Sequence, residues 1–166
     1  MTPEDRFSNP TPSPAETDLA ALDVDFADEV ENDDRAGHKR ARADTAVLVA
    51  DDYPPAQRLL RAQLRDLGFG RIILVSSGAE ALAAMRFRTF GLVLSDWKMK
   101  PMTGLDLLRA VRRDTTHQAV PFLMVTVARE ARMFAMAREA GANGYVVKPF
   151  TVRTLEAQIA RALGEA

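Results

Sequence analysis

Between residues 45 and 163 the chain repeats one unit five times, a short apolar run followed by a stretch of helical periodicity. No other feature limits its folds so strongly. The apolar runs are Ala46-Val47-Leu48-Val49-Ala50, Ile72-Ile73-Leu74-Val75, Leu92-Val93-Leu94 leading to Ser95-Asp96, Phe122-Leu123-Met124-Val125-Thr126, and Gly144-Tyr145-Val146-Val147-Lys148. Runs this short and this continuously apolar are strands covered on both faces, which places them in a parallel sheet between layers of helices. The intervening segments predict helices from Pro54-Pro55 to Gly68, then over about 78–87, 103–113, 129–140 and 152–163. In the first of these Leu59, Leu60, Leu64 and Leu67 are expected inside and Arg58, Arg61 and Arg65 outside; proline suits its first turn and Gly68 its end. Right-handed crossovers then give a doubly wound α/β domain, (βα)5, over residues 45–166.

Residues 1–44 have a different texture. They carry twelve acids against five bases, whereas 45–166 carry eleven acids against seventeen bases, so an overall charge of −1 conceals an acidic extension before a basic domain. Pro3, Pro10, Pro12 and Pro14 lie among Ser, Thr and Asn, and 16–34 hold nine acids and no base, a composition expected to be disordered. Within it Leu19, Leu22, Phe26 and Val30 fall at spacings that align them on one side of a helix, near 18–31. Two readings stand: a solvated tail, or an amphipathic helix that docks on a partner or on the basic domain, covering the face partners read. The run His38-Lys39-Arg40-Ala41-Arg42 is expected to be a linker.

The absence of cysteine excludes disulfides, thiolate nucleophiles and cysteine metal sites. The first residues have no basic and apolar leader pattern and no apolar run reaches the length of a membrane span, so a soluble, cytoplasmic protein is expected. No Gly-rich phosphate loop follows the first strand, which argues against a nucleotide-binding enzyme, and no recognition element for nucleic acid is evident.

In parallel sheets of this kind chemistry collects at the carboxyl ends of the strands. Those ends carry Asp51 and Asp52, Asp96, Thr126 and Lys148. Two carboxylates about 4 Å apart repel by about 4 kcal/mol at an effective dielectric near 20, so three together call for a cation or raised pKa values. Mg²⁺ suits an open acidic cleft because it takes one or two carboxylates and keeps positions for water and phosphate oxygens. Lys148 and Thr126 then offer a charge and a hydroxyl to a phosphoryl group on Asp96.

The runs Val49-Ala50-Asp51-Asp52, Leu94-Ser95-Asp96-Trp97-Lys98-Met99, Met102-Thr103-Gly104-Leu105, Met124-Val125-Thr126 and 140–150, ending Lys148-Pro149-Phe150, resemble the receiver domains of two-component response regulators, the CheY-like family. The resemblance covers 45–163. It implies the flavodoxin-like strand order 2-1-3-4-5, a monomer, and Asp96 as phosphoacceptor for a sensor histidine kinase or histidine phosphotransfer protein. It implies that Asp51, Asp52, Asp96 and the backbone carbonyl of Lys98 hold Mg²⁺, that Lys148 and Thr126 engage the phosphoryl oxygens, and that the Lys148-Pro149 bond is cis. Thr126 moving toward the phosphoryl group would let Tyr145 turn inward, remodelling the face made by the fourth helix, fifth strand and fifth helix of the repeat, which a downstream target such as a flagellar motor switch would read.

Several residues depart from the pattern. Lys98 and Ala128 occupy two positions that tune phosphoryl lifetime, where fast-hydrolysing relatives tend to have an amide and an acid; a long-lived phosphoryl group is expected, with Lys98 shielding it or, alternatively, competing with the metal. Pro101 sits one position later than usual and Val127 is bulkier than usual, which could restrict the coupling of Thr126 to Tyr145. Trp97, a useful fluorescence reporter beside the acceptor, is either a loop packing residue or a binding residue, Met133, Phe134 and Met136 are either core or a partner groove, and His117 is structural or solvent-facing. With few residues after the last helix, output through protein binding is expected. Chemotaxis, a phosphorelay or phosphate-sink role, and a phosphorylation-independent interaction module remain open.

Overall fold

A computed structural model describes residues 35–165. The elements run α1 (Arg35–Asp44), β1 (Ala46–Ala50), α2 (Pro54–Asp66), β2 (Arg71–Val75), α3 (Gly78–Phe87), β3 (Leu92–Ser95), α4 (Gly104–Arg113), β4 (Phe122–Thr126), α5 (Ala131–Glu139), β5 (Gly144–Val147) and α6 (Val152–Leu163). The five strands form one sheet in the order β2-β1-β3-β4-β5, and every pairing is parallel. The expected (βα)5 architecture is therefore the one observed.

Strand alternation sorts the core into two layers. Val47 and Val49 of β1 join Leu60 and Leu64 of α2 and Leu155 and Ile159 of α6 on one face. Leu48 and Ala50 join Met85 of α3, Leu107, Leu108 and Val111 of α4, and Ala137 of α5 on the other. Both layers are continuous with the sheet, which explains why the strands show no polar face in sequence.

Local chemistry sets the helix starts. Thr103 and Asp106 form a reciprocal capping box at α4, Thr151 caps α6 and Ser77 caps α3. Prolines occupy the first turn of α2 in place of a side-chain cap. Gly68 ends the turn after α2 with φ +102°, a conformation that favours glycine.

Two expectations are corrected. Leu59 is 56 % exposed rather than inward; the inner stripe of α2 is carried by Leu60, Gln63 and Leu64, with Leu67 just beyond it. The basic run expected to be a linker is helix α1, so folded structure begins ten residues ahead of the expected boundary. Its anchor is Arg42, 5 % exposed. The guanidinium donates to Glu165 at 3.1 and 2.6 Å, to the Leu67 carbonyl at 3.1 Å and to Glu156 at 3.4 Å, and it lies over the Phe69 ring. Burial alone would lower its pKa, but the bonds and charges of Glu165 and Glu156 outweigh that and raise it. The amphipathic segment near 18–31 lies outside the described residues.

Candidate functional site

Asp51 follows β1 and Asp96 follows β3, and since these strands are neighbours in register, Ala50 opposite Ser95, the two carboxylates emerge side by side. Asp52 extends the pair, and all three present oxygen atoms within 4.8 Å of one another. Their exposures differ: Asp51 is buried, Asp96 intermediate and Asp52 exposed. The cluster is thus a cleft with a closed floor and an open mouth.

Lys148 arrives from the end of β5, across β4. Its Nζ lies 2.7 Å from Asp51 Oδ2 and 3.5 Å from Asp96 Oδ2. One ammonium faces three carboxylates, so the cluster retains two formal negative charges. A divalent cation with oxygen ligands fits that excess, and the open mouth leaves room for water or a phosphate oxygen. Lys148 is followed by a cis bond to Pro149, as expected, and Lys100-Pro101 is cis as well.

The backbone around Asp96 is fixed by short bonds. Trp97 N donates to Asp96 Oδ1 at 2.7 Å and Tyr53 N to Asp51 Oδ1 at 2.9 Å, which orients both carboxylates. Gly104 N donates to the Trp97 carbonyl at 2.8 Å. A Cβ on Gly104 would meet the Asp96 carbonyl oxygen at 2.0 Å. This contact explains the glycine of the Met102-Thr103-Gly104-Leu105 run, whose role the sequence alone did not reveal.

Gln57 was missed as well. Its side-chain amide donates to the carbonyls of Asp51 at 2.5 Å and Val75 at 2.9 Å, tying the ends of β1 and β2 beneath the acidic cleft. A glutamine one turn into a helix carries no signal in sequence.

Thr126 and Tyr145 meet at Ala128. The Thr126 hydroxyl, fully buried, accepts from Ala128 N at 3.3 Å, and the Tyr145 hydroxyl donates to the Ala128 carbonyl at 3.0 Å. Tyr145 packs edge-on against Phe134. The phenol is already inside, so the outward starting position expected for it is not the one observed. Burial, then the charges of Glu130 and Asp96, push its pKa well above the ordinary phenol value.

The remaining candidates divide. Lys98 is exposed and Ala128 buried. Val127 is 54 % exposed, so its bulk points away from the Thr126 and Tyr145 contact rather than into it. Trp97 is a packing residue of the core. Met133, Phe134 and Met136 are partly buried against the same core. His117 is buried, with Nδ1 3.1 Å from Asp114 Oδ2, which fits the structural rather than the solvent-facing of the two roles expected of it.

The comparisons agree with this geometry. Residues 47–160 match the model of the response regulator receiver domain. The chemotaxis protein CheY of Pseudomonas aeruginosa is 42 % identical over 113 residues, which cover 68 % of this chain and 91 % of that protein. Chemotaxis protein CheY-3 of Vibrio cholerae is 37 % identical over 68 % of this chain and 87 % of its own length. Among solved structures, the chemotaxis response regulator CheY4 of Vibrio cholerae superposes with a TM-score of 0.67 at 31 % identity, covering 72 % of this chain and 98 % of that one. The receiver domain of the sensor histidine kinase PA1611 of Pseudomonas aeruginosa, 27 % identical with a TM-score of 0.66 over 72 % of this chain and 98 % of that one, has magnesium coordinated in its active-site cleft. No helix among the described residues is long and apolar enough to cross a membrane. By family match, relatives and fold together, this chain belongs to the response regulator receiver domains and is CheY-like.

Proposed function

We propose that the chain is a cytoplasmic signalling protein switched by phosphorylation of Asp96. The observation that carries this reading is the convergence of Asp51, Asp52 and Asp96 within 4.8 Å of one another, with Lys148 in reach of both Asp51 and Asp96. In the reaction an Asp96 carboxylate oxygen attacks the phosphorus of a phosphohistidine on a histidine kinase or phosphotransfer protein. The P–O bond forms as the P–N bond breaks, and the imidazole, already protonated on its other nitrogen, leaves as the neutral ring. Asp51, Asp52, Asp96 and the Lys98 carbonyl would hold Mg²⁺, which supplies charge neutralisation to the phosphoryl oxygens when bound.

The chain's own residues do the rest. Trp97 N holds one acceptor oxygen, leaving the other, which faces Lys148, for attack. Lys148 neutralises charge that moves onto the phosphoryl group, a role suited to a compact ammonium. Thr126 engages a phosphoryl oxygen only if its hydroxyl leaves Ala128 N, so the product state competes with the bond at 3.3 Å. Ala128 is also held by Tyr145, which passes the change to the face formed by α5, β5 and α6. A protein target binds there; the chemotaxis proteins among the relatives support a motility target.

Lys98 and Ala128 offer neither an amide nor an acid to orient attacking water, so the acyl phosphate is long-lived. Replacing both, Lys98→Asn with Ala128→Glu, is expected to speed its loss; slower or unchanged loss would oppose this assignment. The acceptor itself is tested with radiolabelled acetyl phosphate and Mg²⁺. The wild type takes up acid-stable, hydroxylamine-labile label and the Asp96→Asn variant none; equal labelling of the two would overturn the proposal.

A further inference from the structure

The outer face of α2 is basic, partly apolar and without a partner among the described residues. Arg58, Arg61 and Arg65 recur at spacings of three and four, so they form one stripe, and none forms an ion pair there. The only acid on the helix is Asp66, its last residue. Beside this stripe Leu59 is 56 % exposed, and Tyr53, just before the helix, is 61 % exposed.

The chain also enters the fold beside this helix. Arg42 ties α1 to the Leu67 carbonyl, and His38 and Lys39 line one cleft with Asp66, Leu67 and Glu156. The described part of α1 therefore lies at the C-terminal turn of α2. The segment 16–34 before it has nine acids, no base, and Leu19, Leu22, Phe26 and Val30 on a common helical stripe. At about 1.5 Å per residue those nineteen positions span about 28 Å, against about 20 Å for α2.

We propose that residues 16–34 dock along the outer face of α2. With residue 34 set level with Leu67, counting back by the same rise brings Phe26 level with Leu59 and Leu22 with Pro55, at the first turn of α2, while the carboxylates face Arg58, Arg61 and Arg65. Two other surfaces are poorer matches. The face of α5 mixes Arg129, Arg132 and Arg138 with Glu130 and Glu139 and lies across the sheet from α2. Phe87, 87 % exposed between Arg86 and Arg88, is also on that far side. The entry point thus moves the docking expected for this segment from the face of α5, β5 and α6 to α2.

The absence of cysteine makes the test direct. An Ala27→Cys full-length chain carrying a nitroxide is expected to broaden the amide signals of residues 56–66, with recovery in high salt. The Arg58→Glu, Arg61→Glu, Arg65→Glu chain, and separately the milder Leu59→Ser chain, should regain those signals while keeping the dispersed spectrum of a folded domain. Broadening centred on α5 and β5 or on residues 86–88, broadening with no focus, or persistence in both α2 variants would overturn the proposal. Broadening seen between a labelled chain and an unlabelled ¹⁵N chain would overturn it too, by assigning the face to a second copy.

Discussion

Replacing Arg42 by alanine tests whether α1 belongs to the domain or merely lies against it. The guanidinium is 5 % exposed, and its loss removes the donor of the Leu67 carbonyl and the counter-ion of Glu165, itself 11 % exposed. Breaking a buried pair from one side costs about 3–5 kcal/mol, because the abandoned charge stays poorly solvated. Glu165 lies just beyond the last turn of α6 and can turn toward water, so the low end applies, about 3 kcal/mol. The bond to Glu156 adds little, because that carboxylate is 42 % exposed and half screened. For a domain of this size about 3 kcal/mol corresponds to a fall in Tm of about 10 °C. Glu156→Gln, by the same reasoning, should cost less than about 1 kcal/mol. Urea denaturation gives both values, provided the m-value is unchanged. A loss under about 1 kcal/mol for Arg42→Ala, or a greater loss for Glu156→Gln, would refute the argument and leave α1 an accessory that undocks without consequence for the core.

Other perturbations reach the site directly. Gly104→Ala sets a Cβ 2.0 Å from the Asp96 carbonyl, both rigid backbone neighbours, so about 2–3 kcal/mol of stability and most phosphoryl uptake should be lost, measured by denaturation and labelling; a normal labelling rate would show that the acceptor loop has slack. Lys148→Met removes the cation that faces the cluster among the described residues and should raise Mg²⁺ affinity at least tenfold by calorimetry while slowing labelling, since a like charge beside the metal site is relieved; weaker Mg²⁺ binding would contradict it. In a Tyr53→Phe chain, which leaves Tyr145 as the sole tyrosine, phenolate absorbance should not rise at the ordinary phenol pKa. Because the folded-state value is raised, stability from the neutral phenol is intact below the unfolded pKa near 10 and falls as pH climbs above it, so ionisation should coincide with unfolding. Ionisation near pH 10 in a still-folded protein would refute the burial assigned to Tyr145.

The five-unit architecture could be read from sequence because each strand and helix announces itself within a few residues. Where a feature rests on distant partners, the local pattern misleads. In α1 the sequence shows only a basic run, and what makes it a helix in place is Arg42 meeting residues 25, 114 and 123 positions away. Arg112 is a similar case: it donates to the carbonyls of Gly141 and Val120 and to Asn143 Oδ1, joining the loops before β4 and β5, yet in sequence it looks like one more outer arginine of α4. Leu59 fails for the opposite reason. A leucine next to Leu60 satisfies a loose apolar stripe, but at 100° per residue only one of the two can point at the core, and the structure chooses Leu60.

The acidic cluster is the one part of the site that sequence and topology settle together. Strand ends carry the carboxylates, and the order β2-β1-β3 makes β1 and β3 neighbours, so Asp51 and Asp96 must converge whatever the loops do. Lys148 is different, since β5 is two strands from β3 and only a side chain as long as lysine bridges that gap to within 3.5 Å. In this state it favours Asp51 by 0.8 Å over Asp96. Neutralising Asp51 by any other cation would remove that preference and release the ammonium toward Asp96. If Asp96 is the acceptor, as proposed, the same lysine that steadies the resting cleft is then free to meet charge arriving there, which gives the buried Asp51 a part in setting when Lys148 moves.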